Sequence, residues 1–290
     1  MEQLDVVVIG GGPAGLGAVR HLADLGIRGV AVLEREPEVG GIPRHCGHLG
    51  FGWQSHRRIW PGPRFADELR KSVNGLDIRT GTTVLDLKSD GSLRIRDAKG
   101  IASLKAKRVL VATGTRESSR AARLLGGGRP LGVMNTGALQ QHVYLHNHRP
   151  FERPVIIGSE WVSFSAILTC RHLGIRPVAM IEENTRISAP RPGDLIARVL
   201  YGVPVLKSTK LIAIEGLGAV EAVDVEHGGR RRRIACDGVI VTGHFQPEDG
   251  LITKSEIVFT AGNVLAPLKT SGQCWVEGRD AAIAIAKSLA

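Results

Sequence analysis

The sequence predicts an α/β protein of two Rossmann-like three-layer domains, the first of which is discontinuous and carries a β-meander. A strand-turn-helix-strand pattern with the glycine spacing G-x-G-x-x-G runs from Asp5 to Glu34. A second strand-helix-strand pattern emerges when the sequence is displaced by 148 residues. From Leu76 to Leu110, β-type runs are separated by glycine-containing turns. We place the first domain at 1–118 and 249–290, and the second at 119–248.

Each glycine of the first turn has a physical role. Gly10 permits a tight turn, Gly12 allows the backbone to contact a pyrophosphate, and Gly15 allows close packing of helix on strand. The pyrophosphate would lie at the helix N-terminus, where free amides and the helix dipole favour an anion. We therefore predict a dinucleotide site that includes Pro13 and Ala14. The alternative is a glycine-rich turn without a ligand.

The second strand of this unit ends in an acidic residue. Glu34 lies 19 residues after Gly15. A carboxylate at this position accepts hydrogen bonds from the ribose hydroxyls of an adenosine and repels a 2′-phosphate.

The composition and net charge of the chain argue against some classes of function. The chain has 290 residues, a net charge of +10 and 43% hydrophobic residues, which is typical of a globular α/β protein. The dense basic run Arg230–Arg233 follows two glycines and is interpreted as a solvated hairpin tip. Without interleaved aromatic residues or a recognisable motif, we expect no nucleic-acid binding, although an acidic protein partner or an anionic substrate stays open. No signal peptide or apolar run of about 18 residues is present, so we expect a cytoplasmic protein without a membrane span.

The cysteines and histidines do not predict a metal site. Cys46, Cys170, Cys236 and Cys274 are widely separated and form no C-x-x-C pair. His142, His146 and His148 lack a convincing metal geometry. We expect neither a disulfide framework nor a bound metal.

The second strand-helix-strand unit has lost two of the three turn glycines. Displacement by 148 residues places Gly158 on Gly10 and Glu182 on Glu34, but Glu160 replaces Gly12 and Ser163 replaces Gly15. We hypothesise that the Glu160 carboxylate fills the anion site itself, because the helix dipole favours it there. Binding of NAD(P) to this domain is therefore doubtful. The alternative is a shifted backbone that still admits NAD(P).

Two features identify a family resemblance. The strand end Ala112-Thr113-Gly114 recurs as Val241-Thr242-Gly243, and the strand Ile257–Val264 runs into a C-terminal helix. With the two glycine-turn units, the chain resembles the thioredoxin-reductase and glutathione-reductase-like flavoproteins, which implies FAD in the first domain and NAD(P)H in the second. Where that group has an aspartate near the FAD ribityl and phosphate, this chain has Asn263. The resemblance further implies FAD contacts from Arg35, Gly41, Ile42, Val84, Ala112, Thr113, Gly114, Gly262 and Asn263. The redox cysteine pair of that group is missing, which disfavours disulfide reduction.

A closer resemblance rests on the stretches 40–48 with 50–52, 132–141, 162–165, and 261–263 with 277–279. They are similar to the FAD-binding alpha subunits of opine oxidases, D-hydroxyproline dehydrogenases and hydrogen cyanide synthase. The partner that this implies is a second flavoprotein dehydrogenase subunit, sometimes with an iron-sulfur protein, and the implied substrate is a small molecule.

The same resemblance places the flavin ring near His45, Cys46 and His48. These are candidate catalytic residues for proton exchange with reduced flavin, although they can equally bond loop backbone or a cofactor phosphate. The leading hypothesis is an FAD-dependent oxidoreductase that serves as the electron-transfer or accessory subunit of an amino-acid, opine or hydroxyproline dehydrogenase complex. The alternatives are a free-standing NAD(P)H-dependent flavoprotein reductase and a non-catalytic FAD-binding assembly subunit.

Overall fold

A computed structural model describes residues 1–189, 193–265 and 269–290. In chain order the strands are β1 (Glu2–Ile9), β2 (Val30–Leu33), β3 (Leu49–Phe51), β4 (Trp60–Pro61), β5 (Asp77–Arg79), β6 (Thr83–Leu87), β7 (Ser92–Asp97), β8 (Gly100–Val111), β9 (Thr115–Glu117), β10 (Val133–Asn135), β11 (Pro154–Ile157), β12 (Ala179–Ile181), β13 (Val205–Leu206), β14 (Thr209–Glu215), β15 (Ala222–His227), β16 (Arg230–Ala235), β17 (Gly238–Val241), β18 (Phe245–Pro247) and β19 (Val258–Thr260). The α-helices are α1 (Pro13–Asp24), α2 (Trp53–His56), α3 (Gly62–Ser72), α4 (Thr136–Gln140), α5 (Trp161–His172), α6 (Gly193–Leu195) and α7 (Ser271–Leu289). Short 3₁₀ segments cover Ile42–His45 and Gly262–Val264, and π-helical turns extend α4 over Gln141–Leu145 and α6 over Ile196–Leu200.

The chain divides into two compact units. Unit 1 contains residues 1–44, 49–116 and 246–290, and unit 2 contains residues 45–48 and 117–245. The sequence predicts domain boundaries at 118 and 248, within three residues of the observed ones, and places residues 45–48 in the first domain, whereas they group with unit 2.

Unit 1 is a parallel sheet that continues into an antiparallel meander. Its strand order is β5-β2-β1-β8-β7-β6, and β19 also pairs with β8 in parallel. The apolar run Val6–Ile9 forms the buried part of β1, as expected for a central strand with parallel neighbours on both sides. Pro13 begins α1 at a position where its missing N–H costs nothing. Helices α1, α3 and α7 bury Leu16, Leu69 and Ile285 against this sheet in one core.

Unit 2 repeats the parallel arrangement on a smaller scale. Its main sheet has the order β10-β17-β11-β12-β13, with every pair parallel. Helix α5 contributes Phe164 and Ile167 to a core that includes Ile156 and Met180. A second, antiparallel sheet is formed by β14, β15 and β16. The predicted α/β class with two Rossmann-like units is therefore confirmed.

The basic run lies on a strand as well as beside a turn. Arg230–Arg233 form the start of β16, and all four residues are exposed. Arg233 pairs with Glu215 through a contact of 3.0 Å between Nε and Oε2. Within the described ranges, no helix combines the length and the apolar character needed to cross a bilayer.

Candidate functional site

The glycine turn of unit 1 closes against the end of β8 and leaves one side open. Gly10 has φ of +105°, and a Cβ atom there would lie 2.5 Å from the carbonyl oxygen of Ala112. A Cβ atom at Gly15 would lie 1.9 Å from the carbonyl oxygen of Gly10. At Gly12, by contrast, the nearest described atom to such a Cβ is 3.9 Å away, at Gly41. The space over Gly12 is therefore free for a ligand while the rest of the turn is tightly packed.

Glu34 lies directly beside this turn. Its Oε2 accepts a hydrogen bond of 2.6 Å from the N–H of Gly11, and its Oε1 accepts one of 2.8 Å from the N–H of Glu36. The side chain is buried, with 8% exposure. Two backbone bonds thus fix the carboxylate at the end of β2, and a carboxylate with lone pairs to spare can also accept ribose hydroxyls.

Several predicted contacts converge on the same edge of the sheet. The N–H of Gly40 donates to the carbonyl of Gly11 over 2.7 Å, which brings Gly41 against Gly12. Gly262 approaches α1 so closely that a Cβ atom there would lie 2.9 Å from the Cβ of Ala14. Gly40, Gly41 and Gly262 are 29 or more positions away from their partners in the sequence. The fold of unit 1 nevertheless brings them together at the N-terminus of α1.

The other residues predicted to contact FAD differ in their burial and in their hydrogen-bond partners. Thr113 donates its hydroxyl to the carbonyl of Glu248 over 2.7 Å, and Gly114 follows with φ of +74°. Val84 packs against the core of the meander. The side chains of Arg35 and Ile42 are exposed.

The side chain of Asn263 forms hydrogen bonds with the backbone of Lys269. Its Oδ1 accepts from the N–H of Lys269 over 2.9 Å, and its Nδ2 donates to the carbonyl of the same residue over 3.2 Å. The neighbouring Gly262 N–H donates to Glu277 of α7 over 3.1 Å. Both polar atoms of this amide are therefore engaged with the backbone of Lys269, and a cofactor contact from it remains a prediction.

The residues of unit 1 fit the FAD that the sequence implies. The first turn of α1 contains no acidic residue, and Gly12, its N-cap, provides no side chain to satisfy the terminal amides. These free N–H groups and the helix dipole face the open space over Gly12 and would bind a pyrophosphate. Glu34 would then hold the adenosine ribose.

Unit 2 reproduces the acidic part of this arrangement in the register that the repeat predicts. Glu182 accepts from the hydroxyl of Ser159 through Oε2 and from the N–H of Asn184 over 2.8 Å through Oε1. Ser159 and Asn184 stand at the positions of Gly11 and Glu36 after displacement by 148 residues. A carboxylate with an equivalent pair of hydrogen-bond partners is thus present at the end of the second strand in both units.

In unit 2 the Glu160 carboxylate fills the space that corresponds to the open space over Gly12 in unit 1. Its Oε2 lies 3.2 Å from the hydroxyls of both Ser163 and Thr242. A Cβ atom at Gly243 would lie 2.4 Å from Oε1, and one at Gly158 would lie 2.7 Å from Oε2. The carboxylate therefore occupies the gap between the turns that end β11 and β17.

An arginine that the sequence did not single out stands beside this carboxylate. Arg123 donates from Nη1 to the carbonyl of Thr242 over 2.8 Å. Burial lowers the pKa of Arg123, and the carboxylates of Glu160 and Glu183 oppose that shift. Glu117 was not identified from the sequence either. Its Oε2 accepts a hydrogen bond of 2.8 Å from the N–H of Gly137, and its Oε1 accepts one of 3.1 Å from the N–H of Gly243. Burial raises the pKa of Glu117. Ser159 and Asn184 were available from the repeat register, whereas Arg123 carries no sequence signal.

The three candidate catalytic residues group with unit 2. Cys46 Sγ lies 3.1 Å from His48 Nε2 and 3.4 Å from the amide nitrogen of Gln140. The Gln140 amide also donates to the hydroxyl of Ser165 over 2.8 Å. Burial raises the pKa of the Cys46 thiol to about 11, so it is a poor nucleophile near neutral pH. His45 is buried with 5% exposure. Proton exchange with a flavin by these residues stays a prediction.

Known proteins share both this fold and this sequence pattern. Residues 4–266 match the family model described as pyridine nucleotide-disulphide oxidoreductase. One of the subunits of opine oxidase from Rhizobium meliloti is 30% identical over 186 residues, which cover 63% of this chain and 39% of that protein. The alpha subunit of sarcosine oxidase from the same organism is 25% identical over 264 residues, which cover 84% of this chain and 24% of that protein. The chain thus spans well under half the length of either relative.

A solved structure supports the fold over the full length. Thioredoxin reductase of T. acidophilum superposes with a TM-score of 0.80 at 21% identity, covering 100% of both chains. The predicted resemblance to the two-dinucleotide-domain flavoproteins and to opine oxidase subunits is confirmed. So is the FAD prediction, because this family binds FAD and uses NAD(P)H. With the family model matching most of its length, the chain belongs to the pyridine nucleotide-disulphide oxidoreductase family.

Proposed function

We propose that this protein is the electron-transfer or accessory flavoprotein of a dehydrogenase complex that oxidises a small amino-acid-like substrate. One observation supports the proposal: the space over Gly12 is open in unit 1, whereas the Glu160 carboxylate fills the corresponding space in unit 2. A unit that binds FAD beside a unit that does not admit NAD(P)H must receive its electrons from another donor.

The division of roles follows from the two turns. Bound FAD would supply the ability to accept and release electrons, while the protein positions it. The α1 N-terminus would hold the pyrophosphate, and Glu34 would hold the ribose. The like charge and volume of Glu160 would keep a second pyrophosphate away from α5.

The relatives support a multi-subunit complex. Two proteins that this chain resembles are named as subunits of oxidases, one of opine and one of sarcosine. Both names denote N-substituted amino-acid substrates, which suggests the same substrate class here. A second flavoprotein subunit would then carry the substrate site, and an iron-sulfur protein is a further candidate partner.

The cysteines do not support disulfide reduction. All four cysteines are free and buried. Burial raises the pKa of Cys170 to about 12 and of Cys274 to about 11. None therefore has the exposed, acidic thiol that disulfide exchange requires.

A free-standing NAD(P)H-dependent reductase is the second candidate. The specific observation in its favour is that a thioredoxin reductase superposes on this chain with coverage of 100% of both chains. It requires unit 2 to bind NAD(P)H despite Glu160.

The proposal is tested on the protein purified from its native host with any associated subunits. Under anaerobic conditions, N-alkyl amino acids and imino acids are added to the complex and, in parallel, to the isolated FAD-loaded chain. The proposal expects flavin reduction in the complex alone. Reduction of the isolated chain by NADH or NADPH would establish the second candidate instead.

A further inference from the structure

A cavity of about 690 Å³ lies wholly within unit 2. It is lined by the segment 119–129, by β10, and by the last residue of β17. Its volume falls in the range of about 300–1,000 Å³ that is usual for small-molecule sites. Neither the glycine turn of unit 2 nor Glu160 is part of its wall.

The wall of this cavity carries two cations. Arg120 and Arg129 both line it, and none of the lining residues that the structure describes is acidic. Arg120 is held in place by three backbone carbonyls: Nε donates to Leu125 over 3.2 Å, and Nη2 donates to Gly126 over 2.8 Å and to Gly127 over 3.3 Å. Burial lowers the pKa of Arg120, and repulsion by Arg129 adds to this shift. An anion between the two guanidinium groups would remove that repulsion.

The rest of the wall is mainly apolar. Leu124, Leu125 and Met134 contribute large aliphatic surfaces. Leu124 is 90% exposed and has φ of +52°, a conformation that costs a leucine energy. No aromatic side chain occurs among the described lining residues, so the cavity offers no stacking surface for an adenine ring.

We propose that this cavity binds a small organic carboxylate, with its anionic end on Arg129 and Arg120 and its apolar body on Leu124, Leu125 and Met134. Arg129 can match a carboxylate through paired hydrogen bonds, whereas Arg120, whose Nε and Nη2 already donate to backbone carbonyls, would contribute its charge and Nη1. The aliphatic wall favours a hydrocarbon body over a bare inorganic anion. None of the described lining residues is among those predicted to contact FAD, and the proposal does not depend on the proposed function.

The test uses two probes with one hydrocarbon body and opposite charge. 4-Phenylbutyrate and 4-phenylbutylamine are titrated by calorimetry into the FAD-loaded chain, with inorganic phosphate as a third probe. The carboxylate should bind at least about tenfold more tightly than either of the others. Arg129→Gln should weaken carboxylate binding about tenfold, as expected for loss of a charge-assisted hydrogen bond. Arg129→Glu should reverse the preference toward the amine.

The matched control is Arg232→Gln, which removes an exposed arginine of β16 that does not line the cavity. It should leave carboxylate binding unchanged, which excludes a general effect of the positive net charge. Since Arg129 is exposed, both of its variants should fold, and their melting temperatures check this. Equal binding of acid and amine, unchanged binding in Arg129→Gln, or no carboxylate binding at about 1 mM would overturn the proposal. Phosphate binding as tight as that of phenylbutyrate would also overturn it.

Discussion

Replacing Glu160 with alanine should open unit 2 to NADH. The carboxylate lies within 3.2 Å of two hydroxyls at the position where a pyrophosphate would sit. Its removal takes away both a negative charge and the atoms that fill the gap between the turns at Gly158 and Gly243. The ribose-side carboxylate Glu182 would remain, ready to accept the adenosine hydroxyls.

The size of the effect follows from the charge. Two like unit charges about 4 Å apart repel by about 4 kcal/mol at an effective dielectric constant of about 20. Glu160 is only partly buried, so solvent and salt reduce this. We expect a gain of about 1.4–2.8 kcal/mol, which is a ten- to hundredfold increase in NADH affinity. Glu160→Gln retains the volume without the charge, so it should gain less than Glu160→Ala.

The assay is a titration of NADH, followed by calorimetry, into the wild-type chain and each variant. Glu221→Gln is the matched control, because it removes an exposed carboxylate immediately before β15 and should leave the affinity unchanged. Micromolar binding of NADH by the wild-type chain would refute the reasoning. So would equal affinities for the wild type and Glu160→Ala.

Three further predictions rest on single residues. Gly12→Ala should fold normally but lose FAD, since its new methyl enters the open space where the cofactor would bind, at an ordinary φ of −81°. Gly15→Ala should instead lower the melting temperature, because its methyl would meet the Gly10 carbonyl at 1.9 Å. Flavin content and melting curves would separate the two effects, and FAD retained in Gly12→Ala would contradict the site. Native Cys46 should react with iodoacetamide at pH 8 about a hundredfold more slowly than the unfolded chain, because burial raises its pKa from 9.0 to about 11; equal rates by mass spectrometry would count against this. Burial, His148 and His146 lower the pKa of His142, so its contribution to stability should be present above about pH 6.5 and be lost as the pH falls through the lowered value; an NMR titration showing a normal or raised pKa would exclude it.

The local parts of the site were predictable from the sequence. Gly10, Gly12 and Gly15 lie within one turn, and the spacing of Glu34 fixes its place at the end of the next strand. The internal repeat predicted the positions of Glu160 and Glu182, because a displacement by one repeat length preserves the strand-helix-strand register. Such features depend on backbone sterics over a few residues, which the sequence encodes directly.

The parts that depend on irregular segments were not predictable. Arg123 reaches Thr242 from a stretch of turns and loops with no hydrophobic period, so nothing in the sequence indicated its position. The grouping of residues 45–48 with unit 2 rests on contacts of Cys46 with Gln140 and Ser165, which are 94 and 119 positions away. Long-range contacts of loops leave no periodic pattern.

The contrast between the two turns is tested most directly by an anaerobic absorbance spectrum of the purified chain before and after addition of NADH or NADPH. We predict that FAD is present and stays oxidised, because the Glu160 carboxylate keeps the nicotinamide dinucleotide out of unit 2. Rapid bleaching of the flavin by either nucleotide would contradict that account, and a chain that takes up no flavin even after reconstitution would contradict the site built on Gly12 and Glu34.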